Sequence, residues 1–123
     1  MMPEQRALVT NRDIEALAAQ AAMQTPGVLR LEPTIRDLLG RIGPTGAARS
    51  GQGANRLHEG VVATINDGIA RVHLDIATDI TYTALQVAQT VQDRVCQGIR
   101  KTGLIPGNVD ISILAIEPAN ATG

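Results

Sequence analysis

Between Gly60 and Ile99, apolar and polar positions first alternate and then recur at helical spacing. Val72, Leu74 and Ile76 alternate with Arg71, His73 and Asp75, the period of two that marks a strand with one buried face. Val61, Ala63 and Ile65 repeat that period just upstream. Asp67-Gly68 supplies the turn between them, because Gly accepts positive φ freely and Asp accepts it better than most residues. A two-residue loop at Asp67-Gly68 pairs Ile65 with Ala70, Ala63 with Val72 and Val61 with Leu74, all on one face. A three-residue loop would carry Val61, Ala63 and Ile65 onto the face of Arg71 and Asp75, which is costly. The two-residue loop is therefore predicted.

Downstream, Ala84, Val87, Ala88, Val91, Val95 and Ile99 mark the inner face of a long helix. Arg100 and Lys101 suit its C-terminal end and Gly103 its termination. Upstream, Ile14, Leu17, Ala18, Ala21 and Ala22 predict another helix, stopped by Pro26-Gly27. Asn11 stands where an N-cap is expected, and Asp13 and Glu15 place negative charge in the first turn. The Ala-rich stripe implies close approach to a neighbour. Short strands are expected at Ala7–Thr10 and Val28–Leu31, and a closing strand at Val109–Ile113 after a turn at Pro106-Gly107. Pro33–Leu39 reads as a short helix, with Thr34 as cap and Ile35, Leu38 and Leu39 buried.

One apolar face per strand and two amphipathic helices predict an α+β fold. The expected form is a two-layer sandwich: a mixed sheet of three to four strands, with both helices on one face, in an order like β-α-β-β-α-β. At 123 residues and 12.9 kDa the chain is long enough for one domain. That domain is assigned to residues 7–116, with a flexible N-terminus at 1–6 and a flexible tail at 117–123. Within it, residues 40–59 are rich in Gly, Arg, Ala and Ser and read as a flexible loop.

Composition narrows the function. The chain has no Phe or Trp, and Tyr82 is its sole aromatic residue, so it lacks a platform for stacking bases or sugars. A net charge of −1 gives no general attraction to nucleic acid or to an anionic membrane. The lone Cys96 excludes an intramolecular disulfide and fits a reducing cytosol. The first residues lack the basic and apolar regions of a secretion signal, and no apolar run is long enough to span a bilayer. A cytoplasmic location is expected, with any membrane association arising through a partner.

Candidate chemistry is sparse. His73 and Asp75 stand two apart beside Arg71, the spacing of a base with an orienting carboxylate or of half a metal site. No second ligand set accompanies them, and a solvated polar face is the favoured reading. His58, beside Glu59, is the other histidine. Cys96 lies between Val95 and Ile99 and reads as a structural thiol, since neither a nearby base nor a helix N-terminus would activate it. Gly40-Arg41-Ile42-Gly43 matches the GxxG of a KH loop, and Arg41, Arg49 and Arg56 are candidate loop contacts around it. The alternative function is thus a KH-like nucleic-acid-binding module using Gly40–Gly43. A Walker-type phosphate site is disfavoured by the lack of lysine and of a GK[ST] ending between Gly40 and Gly53. No catalytic residue, cofactor or metal ligand is assigned.

The order of these pieces resembles the alkaline shock proteins, or envelope stress response family. The matching residues begin with Ile14, Leu17-Ala18 and Ala21-Ala22, leading to Pro26-Gly27-Val28. They continue through Gly60-Val61, Asp67-Gly68-Ile69 and Leu74-Asp75-Ile76. Leu85-Gln86-Val87-Ala88, Val91-Gln92, Val95, Thr102-Gly103-Leu104 and Val109–Ile113 complete the match. It spans about Leu8 to Ile116 apart from the central loop, and it rests on order and spacing rather than on any one motif. The resemblance implies a bacterial, cytoplasmic, non-enzymatic scaffold linked to envelope or alkaline stress. It further implies recruitment by a small membrane-anchored protein partner, and self-association into a homo-oligomer. The candidate partner-binding surface on the sheet is Arg71, His73 and Asp75, with Val62, Leu114 and Ile116 toward its edge.

Overall fold

The computed structural model describes residues 8–33 and 60–119. Its elements are α1 (Asn11–Met23), β1 (Val28–Leu31), β2 (Val61–Asn66), β3 (Ile69–Asp79), α2 (Ala84–Lys101) and β4 (Ile105–Glu117). The chain is an α+β sandwich with a four-stranded mixed sheet, as the periodicities predict. Residues 34–39 of the expected helix at Pro33–Leu39, the loop at 40–59, the expected flexible N-terminus 1–6 and residues 120–123 of the expected flexible tail 117–123 lie outside the described residues.

The chain starts differently from expectation. Residues 8–10 form no strand, and the cap of α1 is Thr10 rather than Asn11. The Thr10 hydroxyl accepts from the Asp13 N–H at 3.1 Å, while the Asp13 carboxylate accepts from the Thr10 N–H at 2.9 Å. Two otherwise orphaned donors are satisfied reciprocally, an arrangement that Asn11 could not make with the same aspartate. This capping contributes about 1 kcal/mol.

The hairpin register is the predicted one: Val61 pairs with Leu74, Ala63 with Val72 and Ile65 with Ala70. Asp67 and Gly68 both have positive φ, as the two-residue turn requires. β3 is the central strand. β4 runs parallel to it along one edge, from Ile69↔Ile105 to Asp79↔Glu117. The other edge is shared, β2 pairing with the first half of β3 and β1 with Ile76–Thr78. β1 and β2 run in the same direction and meet at Asp75. Asp75 accepts from the Glu32 N–H and donates to the Gly60 carbonyl, both at 2.8 Å. Glu32 and Gly60 together thus do what one residue of an uninterrupted strand would do.

Both outer strands bulge at the same height of β3. Leu29 is the extra residue between Val28↔Thr78 and Arg30↔Ala77, and Leu114 is the extra residue between Ile113↔Ile76 and Ala115↔Ala77. Bulges on either side of Ala77 sharpen the local twist. β4 includes Glu117, which the sequence assigns to the tail.

The core lies between the sheet and the helices. Ile14, Ala18 and Ala22 of α1 and Val87, Val91, Val95 and Ile99 of α2 pack with Val61, Ala63, Val72, Leu74, Ile76 and Val109. Ala84 and Ala88 are half-buried at the margin of that face. The two helices meet closely at Gly98, where an added Cβ would lie 2.9 Å from Leu17 Cδ1. The small residues on both helices are what allow this approach.

Candidate functional site

Three surfaces combine exposure with chemistry: the outer face of the sheet, the free edge of β4, and a groove at the start of α2.

On the outer face, alternation along β3 sets Arg71, His73, Asp75 and Ala77 away from the helices. Register adds neighbours: Val62 and Asp110 flank His73, Thr64 flanks Arg71, and Ser112 flanks Asp75. His73 Nε2 lies 2.9 Å from Asp75 Oδ1, so the expected pair does form. Arg71 is exposed and makes no ion pair among the described residues. Asp75, by contrast, is only 4% exposed, against the solvated position expected from the sequence. It sits mid-strand, where Glu32, Gly60 and Ser112 close around it. The accessible part of this surface is therefore Arg71, His73 and Asp110 rather than the carboxylate of Asp75.

Beyond Ala77 the same face carries a charged cluster that periodicity does not reveal. Arg30 Nη1 and Nη2 donate to the two carboxylate oxygens of Glu117 at 3.0 and 2.9 Å, and Glu32 lies 2.7 Å from Nη2. The hydrogen bond to Glu117 is the main reason the guanidinium titrates above its ordinary range, and its counterpart from Arg30 holds the Glu117 carboxyl below its own.

The three apolar candidates do not form one patch. Val62 is half-buried beside His73. Leu114 is the bulge residue of β4 and is 52% exposed. Ile116 is equally exposed, but the bulge shifts the alternation and sets it in register with Thr78, on the helix side of the sheet. A bulge inserts one residue and so inverts the parity of everything after it. Thr78 is fully buried, and its hydroxyl is without a hydrogen-bond partner among the described residues.

The two edges of the sheet differ. The Glu15 carboxylate of α1 accepts from the Ala63 N–H at 3.1 Å, covering the outer side of β2. On β4 the Gln92 amide donates to the Val109 carbonyl at 2.7 Å, but no described strand pairs with the rest of the edge up to Glu117. Ile105, Leu114 and Ile116 are exposed along this strand.

The groove lies between the Thr25-Pro26 turn and the first turns of α2, with a volume of about 280 Å³. The ring of Tyr82 forms one wall. Residue 27 has to be glycine for that ring to seat: φ is +96°, and a Cβ would stand 2.7 Å from Val87 Cγ2 and 2.9 Å from Tyr82 Cγ. No sequence motif announces the groove, since its residues come from separate elements.

Cys96 is half-buried against the core, in keeping with a structural thiol. Arg41, Arg49, Arg56, His58 and the Gly40–Gly43 segment lie outside the described residues. Among the described residues, no group of three or more His, Cys, Asp or Glu is placed to hold a metal ion. Among them, too, no helix is long and apolar enough to cross a membrane.

No protein-family model matches the chain, and no curated protein matches it. Two solved structures share its fold. A nickel form of a MamM CTD variant is 18% identical, with a TM-score of 0.50, over 83% of this chain and 94% of that one. A second MamM CTD variant is 19% identical, with the same TM-score, over 83% and 92%. At such identity the likeness speaks for the fold alone.

Proposed function

We propose that the chain is a non-enzymatic scaffold that works by presenting surfaces, similar to the alkaline shock proteins. It is brought to the membrane by a small anchored protein and also associates with itself. The observation that carries this reading is the edge of β4, which no described strand covers. A strand of 13 residues is long for an edge. Edges of soluble proteins are commonly blunted by lysine, proline, a bulge, a covering element or brevity. β4 carries Pro106 and the bulge at Leu114, yet it has no Lys or Arg and exposes Ile105, Leu114 and Ile116, while on the opposite edge Glu15 holds the Ala63 N–H. An edge left in that state suits pairing with a second strand, whose main chain supplies affinity and whose side chains supply selectivity. The exposed Arg71 and the His73–Asp110 row on the adjoining face add polar contacts for a partner.

The test is affinity capture of the full chain from detergent-solubilised membranes, together with sedimentation of the purified protein. Recovery of a short membrane-anchored protein, reduced at least tenfold by Leu114→Lys, is the expected result. Self-association should weaken in the same variant. Recovery of RNA alone, or of nothing, would overturn the scaffold reading.

A further inference from the structure

The groove beside Tyr82 has the electrostatics of a carboxylate receptor. Its lining contains no acidic residue: Pro26, Tyr82 and Val87 supply apolar surface, Thr83 and Thr90 hydroxyls, and Arg94 a positive charge. Arg94 spends one N–H on the Gln24 carbonyl at 3.1 Å, and no carboxylate among the described residues pairs with it. Its remaining donors form a fork suited to a planar anion.

The groove, about 280 Å³, has room for one or two residues. The only aromatic side chain of the protein, 45% exposed, stands at its rim and offers a face to an apolar side chain.

We propose that this groove binds the C-terminal residue of a partner protein, its α-carboxylate on Arg94 and its apolar side chain against Tyr82, Val87 and Pro26. This rests on the interaction-domain reading and adds the chemistry of the partner.

The experiment is a backbone-amide NMR titration of the full chain with three probes: N-acetyl-leucine, its neutral counterpart N-acetyl-leucinamide, and acetate. Saturable shifts at Gly27, Thr83–Val87 and Arg94 are expected with N-acetyl-leucine. Binding should be at least tenfold weaker with the other two probes and with Arg94→Gln. Because Arg94→Gln also removes a bond to the Gln24 carbonyl, Tyr82→Ala serves as a second variant. It keeps the guanidinium and should weaken N-acetyl-leucine at least fivefold. Equal response to the neutral probe or to acetate, shifts mapping elsewhere, or unchanged affinity in Tyr82→Ala would overturn the proposal. If the probe fails while the membrane protein is still captured, the groove assignment falls and the scaffold reading stands. If the probe binds and no partner is captured, the reverse holds.

Discussion

Arg30 on β1 reaches across the central strand to grip Glu117 at the end of β4 with two hydrogen bonds, 3.0 and 2.9 Å. The two residues belong to opposite edges of the sheet: Arg30 is in register with the fully buried Ala77 and Glu117 with Asp79, so the side chains meet diagonally across the central strand.

That clamp predicts a pH dependence. The hydrogen bond from Arg30 lowers the Glu117 carboxyl below its ordinary 4.5, against an opposing effect of desolvation. A carboxyl whose folded pKa is depressed stabilises the fold in full above its unfolded pKa, and that contribution is lost as pH falls through the folded pKa. Glu117→Gln should therefore lower Tm at pH 7, and the difference should vanish at acidic pH below the ordinary glutamate range. Both groups are solvent-facing, so 1 M salt should also shrink it. A difference that persists in acid would assign the effect to packing instead.

Excising residues 33–59 should leave a folded protein. Glu32 and Gly60 already share the hydrogen bonds of Asp75, so joining them leaves two residues opposite one, as in a β-bulge. Removing the connection relieves a loop-closure cost on the order of 3 kcal/mol. Urea denaturation should show an unchanged or higher midpoint with a single cooperative transition. Loss of cooperativity would show that the excised segment carries part of the core.

Gly60 itself is predicted to be intolerant. Its φ is +89°, and a Cβ would stand 2.6 Å from the Glu32 carbonyl oxygen. Gly60→Ala should destabilise by about 1–3 kcal/mol, the ordinary scale for a strained left-handed position. Gly103, with φ +93° and open space where a Cβ would go, is the control and should lose less. Equal losses at the two glycines would mean that the contact with Glu32 contributes nothing.

Thr78 offers a stabilising change. Its buried hydroxyl makes no hydrogen bond among the described residues, and Val has nearly the same shape. Thr78→Val removes an unsatisfied polar group and should raise stability by about 1 kcal/mol. A lower Tm would reveal a hydrogen bond contributed from elsewhere, which crystallography of the variant pair would locate.

The hairpin was readable from parity alone, because shifting Val61, Ala63 and Ile65 by one residue exposes all three. Val87, Val91, Val95 and Ile99 were equally clear, since a buried helical stripe has no other periodic explanation. Other features left no such mark. Thr10 rather than Asn11 caps α1 because capping depends on reciprocity with Asp13, and both residues are good caps in isolation. The bulge at Leu114 carries neither Gly nor Pro, so the inversion that turns Ile116 to the helix side had no signal in a run of alternating apolar residues. Asp75 looked solvated because alternation assigns a face but not what meets on it. The groove at Tyr82 joins a turn to a helix start brought together only by packing.

The covering of β2 by Glu15 has a consequence for assembly. A sheet with two adhesive sides can add copies indefinitely and grow into a fibre, whereas one with a single adhesive side stops at a pair related by two-fold symmetry. With Glu15 holding the Ala63 N–H, β4 is the open side among the described residues. On the proposed scaffold reading, copies that meet along β4 would consume each other's valence, and self-pairing would compete with capture of a foreign strand for the same seat.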